Sequence, residues 1–198
     1  MLWLMLQLTT SAHSTPLVLQ ELADGEGLYA RYNPRTAWGT PLLNETLQSV
    51  ATTMSWRFPR HEPLLIGDMS ARHGGPLYGH RTHRRGVDAD IGLYRRGGEQ
   101  PLDGFVDLTT DELDLDANLA LIRSLLDTGN VSYILLDQRH IWALRVHALA
   151  NAYPREWVDE VLPARMTRLH LNDHGVVRHA PNHRSHLHVH VRRGAEVL

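Results

Sequence analysis

Val87-Asp88-Ala89-Asp90-Ile91-Gly92-Leu93 alternates without a break: Val87, Ala89, Ile91 and Leu93 share one face of an extended strand, and Asp88, Asp90 and Gly92 share the other. Such a strand gives half its side chains to a core and presents carboxylates with the rest. Near the C-terminus, Ser185 to Val191 repeats the pattern. Leu187, Val189 and Val191 face one way, and His186, His188 and His190 face the other. Two strands of this kind predict an α+β fold, with a small central antiparallel sheet, helices on one of its faces and a polar cleft on the other.

Working outward, Gly79-His80-Arg81-Thr82-His83 places two histidines just ahead of the Gly86 bend and the first strand. Further strands are expected at Tyr29 to Tyr32, Leu64 to Ile66 and Val131 to Leu136. Leu43, Leu47, Val50 and Met54 form one helical stripe, begun by Thr40 as N-cap and Pro41 in the first turn. Leu119, Ile122, Leu125 and Leu126 mark a second helix that stops at Gly129. Ile141, Leu144 and Ala148 mark a third. Residues 71–79, rich in Gly and Pro, read as a loop. The polar, acidic tract through residues 95–115 reads as a solvated surface insert, and residues 155–181 as a loop.

Composition narrows the chemistry. A formal net charge of −2 over 198 residues gives no basis for a nucleic-acid partner. Every one of the 20 basic residues is arginine. The absence of cysteine removes disulfides, thiolate zinc sites and cysteine nucleophiles together. Histidine is abundant at 14 residues, and His80, His83, His179, His183, His186, His188 and His190 fall in just two places. Leu2 to Leu8 is a short apolar run followed by small and polar residues, like the core and cleavage zone of a secretory signal, although no Lys or Arg precedes it. It is too short to span a bilayer. The expected organisation is a signal segment over residues 1–15 and a single domain over residues 16–198, with no transmembrane span; the sequence leaves the oligomeric state open.

Residues two apart on a strand sit about 6.8 Å apart on one face. His186 and His188 therefore point into one cleft, where one can bind a metal and the other act beside it as a base. If the two strands are neighbours, Asp90 joins from the same face, and His83 arrives from the preceding turn. Two His and one Asp leave the fourth tetrahedral position open, as a catalytic zinc site requires. Zinc lowers the pKa of a water in that position to about 7. Asp68 and Asp88 are the candidates for orienting the ligand histidines from behind.

At these residues the chain resembles the penicillin-insensitive murein endopeptidases, within the wider group of lysostaphin-like, D-alanyl-D-alanine-cleaving and hedgehog-related zinc domains. The resemblance rests on His83-x6-Asp90 and His186-x-His188, in the context of Ala37 to Pro41, Gly67-Asp68-Met69-Ser70, Gly74-Gly75-Pro76, Gly79 to His83, Gly86 to Asp90 and His183 to Val189. It implies zinc (Zn2+) on His83, Asp90 and His188, with His186 as catalytic base. His80 and His183 would sit in or beside the site, His80 as an accessory metal ligand and His183 assisting catalysis. Asp137-x-x-His140 has the pattern of a second metal site found in some members, but it lies further along the chain and is not carried over. The implied reaction is hydrolysis of D-alanyl–diaminopimelyl cross-links in peptidoglycan by a periplasmic or secreted enzyme. Two other readings share the ligand set: a carboxypeptidase trimming stem peptides, and a non-catalytic zinc domain, which would not need His186.

Overall fold

The computed structural model describes residues 18–164 and 176–192. The elements in chain order are β1 (Gln20–Glu21), β2 (Tyr29–Arg31), β3 (Trp38–Gly39), α1 (Pro41–Arg57), β4 (Leu64–Ile66), β5 (Asp88–Gly92), α2 (Leu115–Asp127), β6 (Val131–Leu136), α3 (Gln138–Ala150), α4 (Arg155–Val161), β7 (Val177–His179) and β8 (His186–Val191). The expected signal segment lies outside the described residues.

Six strands form the main sheet, in the order β2-β4-β5-β8-β6-β7. Its central run, β4-β5-β8-β6, is antiparallel, as the alternation predicts. The edges differ from expectation, because β2 lies parallel to β4 and β7 lies parallel to β6. A parallel pair needs a crossover that returns the chain to the same end of the sheet. Here α1 supplies it between β2 and β4, and α3 with α4 supplies it between β6 and β7. The fold is α+β, with a larger and mixed sheet.

The elements at α4 and β7 replace part of the loop expected over residues 155–181. α4 has 7 residues and no side-chain cap, and β7 has 3 residues, so neither carries a periodic signal. The α1 start is as read: Pro41 opens the helix and the Thr40 hydroxyl accepts from the Leu43 amide at 3.3 Å. The polar insert is not simply solvated. Leu108 and Leu113 are buried, and the Leu108 amide donates to the Arg184 carbonyl at 3.1 Å.

The register of β5 on β8 positions everything at the site. Asp88 lies opposite His190, Asp90 opposite His188, and Gly92 opposite His186. The residues between them, Ala89, Ile91, Leu187 and Val189, are fully buried. They share one core with Leu47 and Val50 of α1, Leu119 and Ile122 of α2, and Ile141 and Leu144 of α3. Burying each large aliphatic side chain contributes about 1.5–3 kcal/mol. A slip by one residue would expose this set and drive Asp88, Asp90 and His188 into the core. The register is therefore held by the apolar face and read out on the polar one.

Ile91→Ala should cost about 2–5 kcal/mol of unfolding free energy in a denaturant titration. Asp103→Asn, at an exposed position of the insert, should stay within about 0.5 kcal/mol of the parent.

Candidate metal centre

Three ligand-type atoms from three places in the chain converge on the polar face. His83 Nε2 lies 3.0 Å from His188 Nδ1, and His188 Nδ1 lies 3.0 Å from Asp90 Oδ1. The third edge, His83 Nε2 to Asp90 Oδ1, is 3.2 Å. All three residues are buried. β5 and β8 deliver Asp90 and His188 by register, whereas His83 comes from the loop before β5. That loop is fixed at Gly86, whose φ of +65° suits glycine and whose missing Cβ would sit 2.4 Å from Leu19 Cδ2. The Gly86 carbonyl also accepts from the Thr40 amide at 2.8 Å, tying the loop to the start of α1.

Groups behind the ligands set which ring nitrogens face inward. His83 Nδ1–H donates to the Met69 carbonyl at 2.8 Å, which leaves Nε2 as a bare acceptor. His188 Nε2–H donates to Asp88 at 3.1 Å, which leaves Nδ1 bare. Asp88 also accepts from His190 Nδ1 at 2.7 Å, and the His190 ring stacks on Tyr133 with centroids 4.6 Å apart. Of the two carboxylates expected to support ligands, Asp88 thus backs His188. Asp68 backs His80, accepting from its Nε2–H at 2.9 Å while Thr36 and Asn33 hold the other side of the carboxylate.

Two bare nitrogens and a carboxylate oxygen pointing at one place suit a cation between them. Ligands at zinc distances of 2.0–2.1 Å form a tetrahedral face with edges of about 3.3 Å. The observed edges of 3.0 to 3.2 Å are close to that. The donor set fits zinc in number, type and spacing. A proton is the alternative cation. Burial opposes a charge on His188, but Asp88 and Asp90 outweigh it and push its pKa up to about 9. Burial likewise opposes the Asp90 charge, yet the neighbouring His188 and His83 imidazoles hold its carboxyl well below the usual range once a proton is shared among them.

His80, His83 and Asp90 also bring ligand atoms within 4.8 Å of one another, a group able to hold a metal ion. This set and the tighter triangle share His83 and Asp90 and differ in the third ligand. His80 Nδ1 lies 3.7 Å from Asp90 Oδ2, further than His188, and its other nitrogen is committed to Asp68. His80 accordingly sits beside the triangle, with its ring 4.2 Å from that of His83.

His186 projects from β8 toward the same group, its Nε2 3.9 Å from Asp90 Oδ1 and its Nδ1 3.0 Å from Ser185 Oγ. Burial pushes its pKa down to about 4. The His183 ring stands 4.9 Å from His186, and its Nδ1–H donates to the Pro181 carbonyl at 2.8 Å. The Asp137-x-x-His140 pattern has another use here. The Asp137 amide donates to the His183 carbonyl at 3.0 Å and His140 Nε2–H donates to the Arg184 carbonyl at 3.0 Å, so the start of α3 braces the segment leading into β8.

The model of the penicillin-insensitive murein endopeptidase family matches residues 21–196, most of the chain. The chain belongs to that family. No curated protein matches it. Membership places the chain among the peptidoglycan hydrolases. No helix among its described residues is long and apolar enough to cross a membrane. One feature of the chain is not marked in its sequence: Phe105, from the acidic insert, lies against His186 with ring centroids 4.8 Å apart. Only its aromatic character within a polar tract could have drawn attention to it.

His83→Ala or Asp90→Ala should abolish stoichiometric zinc binding, measured by metal analysis after dialysis. Asp88→Ala should keep the metal but weaken its affinity about 10–100-fold. The pH dependence has a definite sign. With His188 protonated up to about pH 9 in the metal-free chain, zinc must displace that proton. Binding at pH 7 should release about one proton, and apparent affinity should fall roughly tenfold per unit as pH drops below 9. Calorimetry in buffers of different ionisation enthalpy measures both, and an affinity that is flat from pH 6 to 8 contradicts the assignment.

Proposed function

We propose that this chain is a zinc-dependent murein endopeptidase that hydrolyses D-alanyl–diaminopimelyl cross-links between peptidoglycan stem peptides, in the periplasm or outside the cell. The observation that carries this reading is the triangle of His83 Nε2, Asp90 Oδ1 and His188 Nδ1 in a chain of this family. His83, Asp90 and His188 hold the metal, and His80 is an accessory ligand or a support beside it. When bound, zinc supplies Lewis acidity toward the attacking water and the scissile carbonyl.

His186 is the general base. Its Nδ1–H donates to Ser185 Oγ, so Nε2 is free to take a proton from water and return it to the leaving amine. The depressed pKa of His186 means that the ring enters the cycle neutral. His183, beside it, assists by bonding the substrate or the developing charge. The cleft needs no serine or cysteine nucleophile, and hydrolysis proceeds without a covalent enzyme intermediate. Residues 16–198 form the catalytic domain in this reading.

The test is incubation with purified cross-linked muropeptide dimers, with and without chelator, followed by mass spectrometry. Dimers should split to monomers only in the absence of chelator. Loss of a single terminal alanine would instead identify a carboxypeptidase. His186→Ala should lower turnover at least 10²-fold, the usual scale of general-base catalysis, while zinc stays near one per chain.

A further inference from the structure

The acidic insert does more than cover surface, because it carries an aromatic ring onto the proposed base. The insert is tied down on both sides of its tip. Leu108 is buried, and its amide donates to the carbonyl of Arg184, two residues before His186. Glu112 accepts from the Thr109 amide and hydroxyl at 2.8 and 2.9 Å and pairs with Arg95 at 3.1 Å. Three residues ahead of Leu108, the Phe105 ring lies nearly flat on the His186 imidazole, with centroids 4.8 Å apart and planes 18° from parallel. Tyr32 meets the same ring edge-on at 5.5 Å and 63°.

Room for Phe105 is made at Gly67. A Cβ there would come within 2.4 Å of Phe105 Cζ and 2.6 Å of Cε2. The Gly67 amide is itself fixed, donating to the Asp90 carbonyl at 2.8 Å. The ring is thus confined by the backbone beside a metal-ligand strand, by Tyr32 and by His186. Ser185 Oγ offers the imidazole only one hydrogen bond within its own strand segment, and one bond leaves rotation about it open. A flat stack removes that rotation.

We infer that Phe105 is a positioning residue for the hydrolysis: seated in the slot left by Gly67, it fixes the plane of the His186 ring so that Nε2 faces the ligand cluster. This rests on His186 acting as the base proposed above. Stacking of this geometry contributes modestly to stability, but a base displaced by about 1 Å costs about 10²-fold in rate.

The experiment uses the full chain, zinc-loaded, with cross-linked muropeptide dimers as substrate. Phe105→Leu should lower kcat about 10²-fold with KM and bound zinc unchanged, and Phe105→Tyr should restore it. In NMR spectra of the Phe105→Leu protein, loaded or metal-free, the His186 ring protons should move downfield as the ring current over them is lost. Gly67→Ala should lower kcat in the parent chain and do so far less in a Phe105→Ala background, where only Tyr32 Cε1, 3.1 Å from the added Cβ, remains beside the slot. The inference is overturned if Phe105→Leu leaves kcat and the His186 resonances unchanged, or if zinc, thermal stability and kcat fall together. His186→Ala separates the two readings. If that variant is inactive while Phe105→Leu turns over normally, only the positioning role fails; if it stays active, base and positioning role fail together.

Discussion

The site depends on the antiparallel register that sets Asp90 opposite His188. Directly opposed side chains on one sheet face stand about 4.5–5.5 Å apart at Cβ, so the pairing itself brings a carboxylate and an imidazole together. The register is fixed from behind, by Ile91, Leu187 and their neighbours in the core. Binding geometry on the polar face is thus a consequence of hydrophobic packing on the apolar one. His83 is the exception, since it reaches the strand pair from a loop that depends on Gly86 and on the start of α1.

Burial makes that arrangement electrostatically demanding. Asp88, Asp90, His83 and His188 are nearly inaccessible to water, so each charge or lone pair must find a partner inside the protein. Outer partners satisfy one side of each ring: Met69 behind His83, and Asp88 behind His188. What is left over faces a single point, and it is electron-rich. Such a place suits a cation, either a metal ion or a proton held by His188 between two aspartates. Competition between the two would make metal binding at the centre depend on pH.

Much of this was legible in the sequence because strand alternation is a local code. Val87 to Leu93 and Ser185 to Val191 announce their faces residue by residue, and α1 announces its start through Thr40 and Pro41. The spacing of His83, Asp90, His186 and His188 carried the ligand set as far as a proposal. Features that depend on distant packing were not legible. Nothing near Val177-Arg178-His179 marks it as a strand beside β6, since three residues have no measurable period. The parallel edges follow from the order strand, helix, strand, which the elements contain but which was not weighed. Phe105 looked like a lone aromatic in a solvated tract, and its stack on His186 exists only because the insert folds back onto the segment before β8.

β8 follows every other strand in sequence but lies between β5 and β6 in the sheet. During synthesis from the N-terminus, the other seven strands and all four helices among the described residues emerge before it, and the middle of the sheet has no occupant until it arrives. Long-range pairing of this kind is slow to form. It also bears on the site. A nascent chain that has not yet threaded β8 lacks both His186 and His188, so the proposed ligand set and base are incomplete, however far the rest of its structure has formed. The latest of the described strands to be made is thus the one that would arm the proposed site.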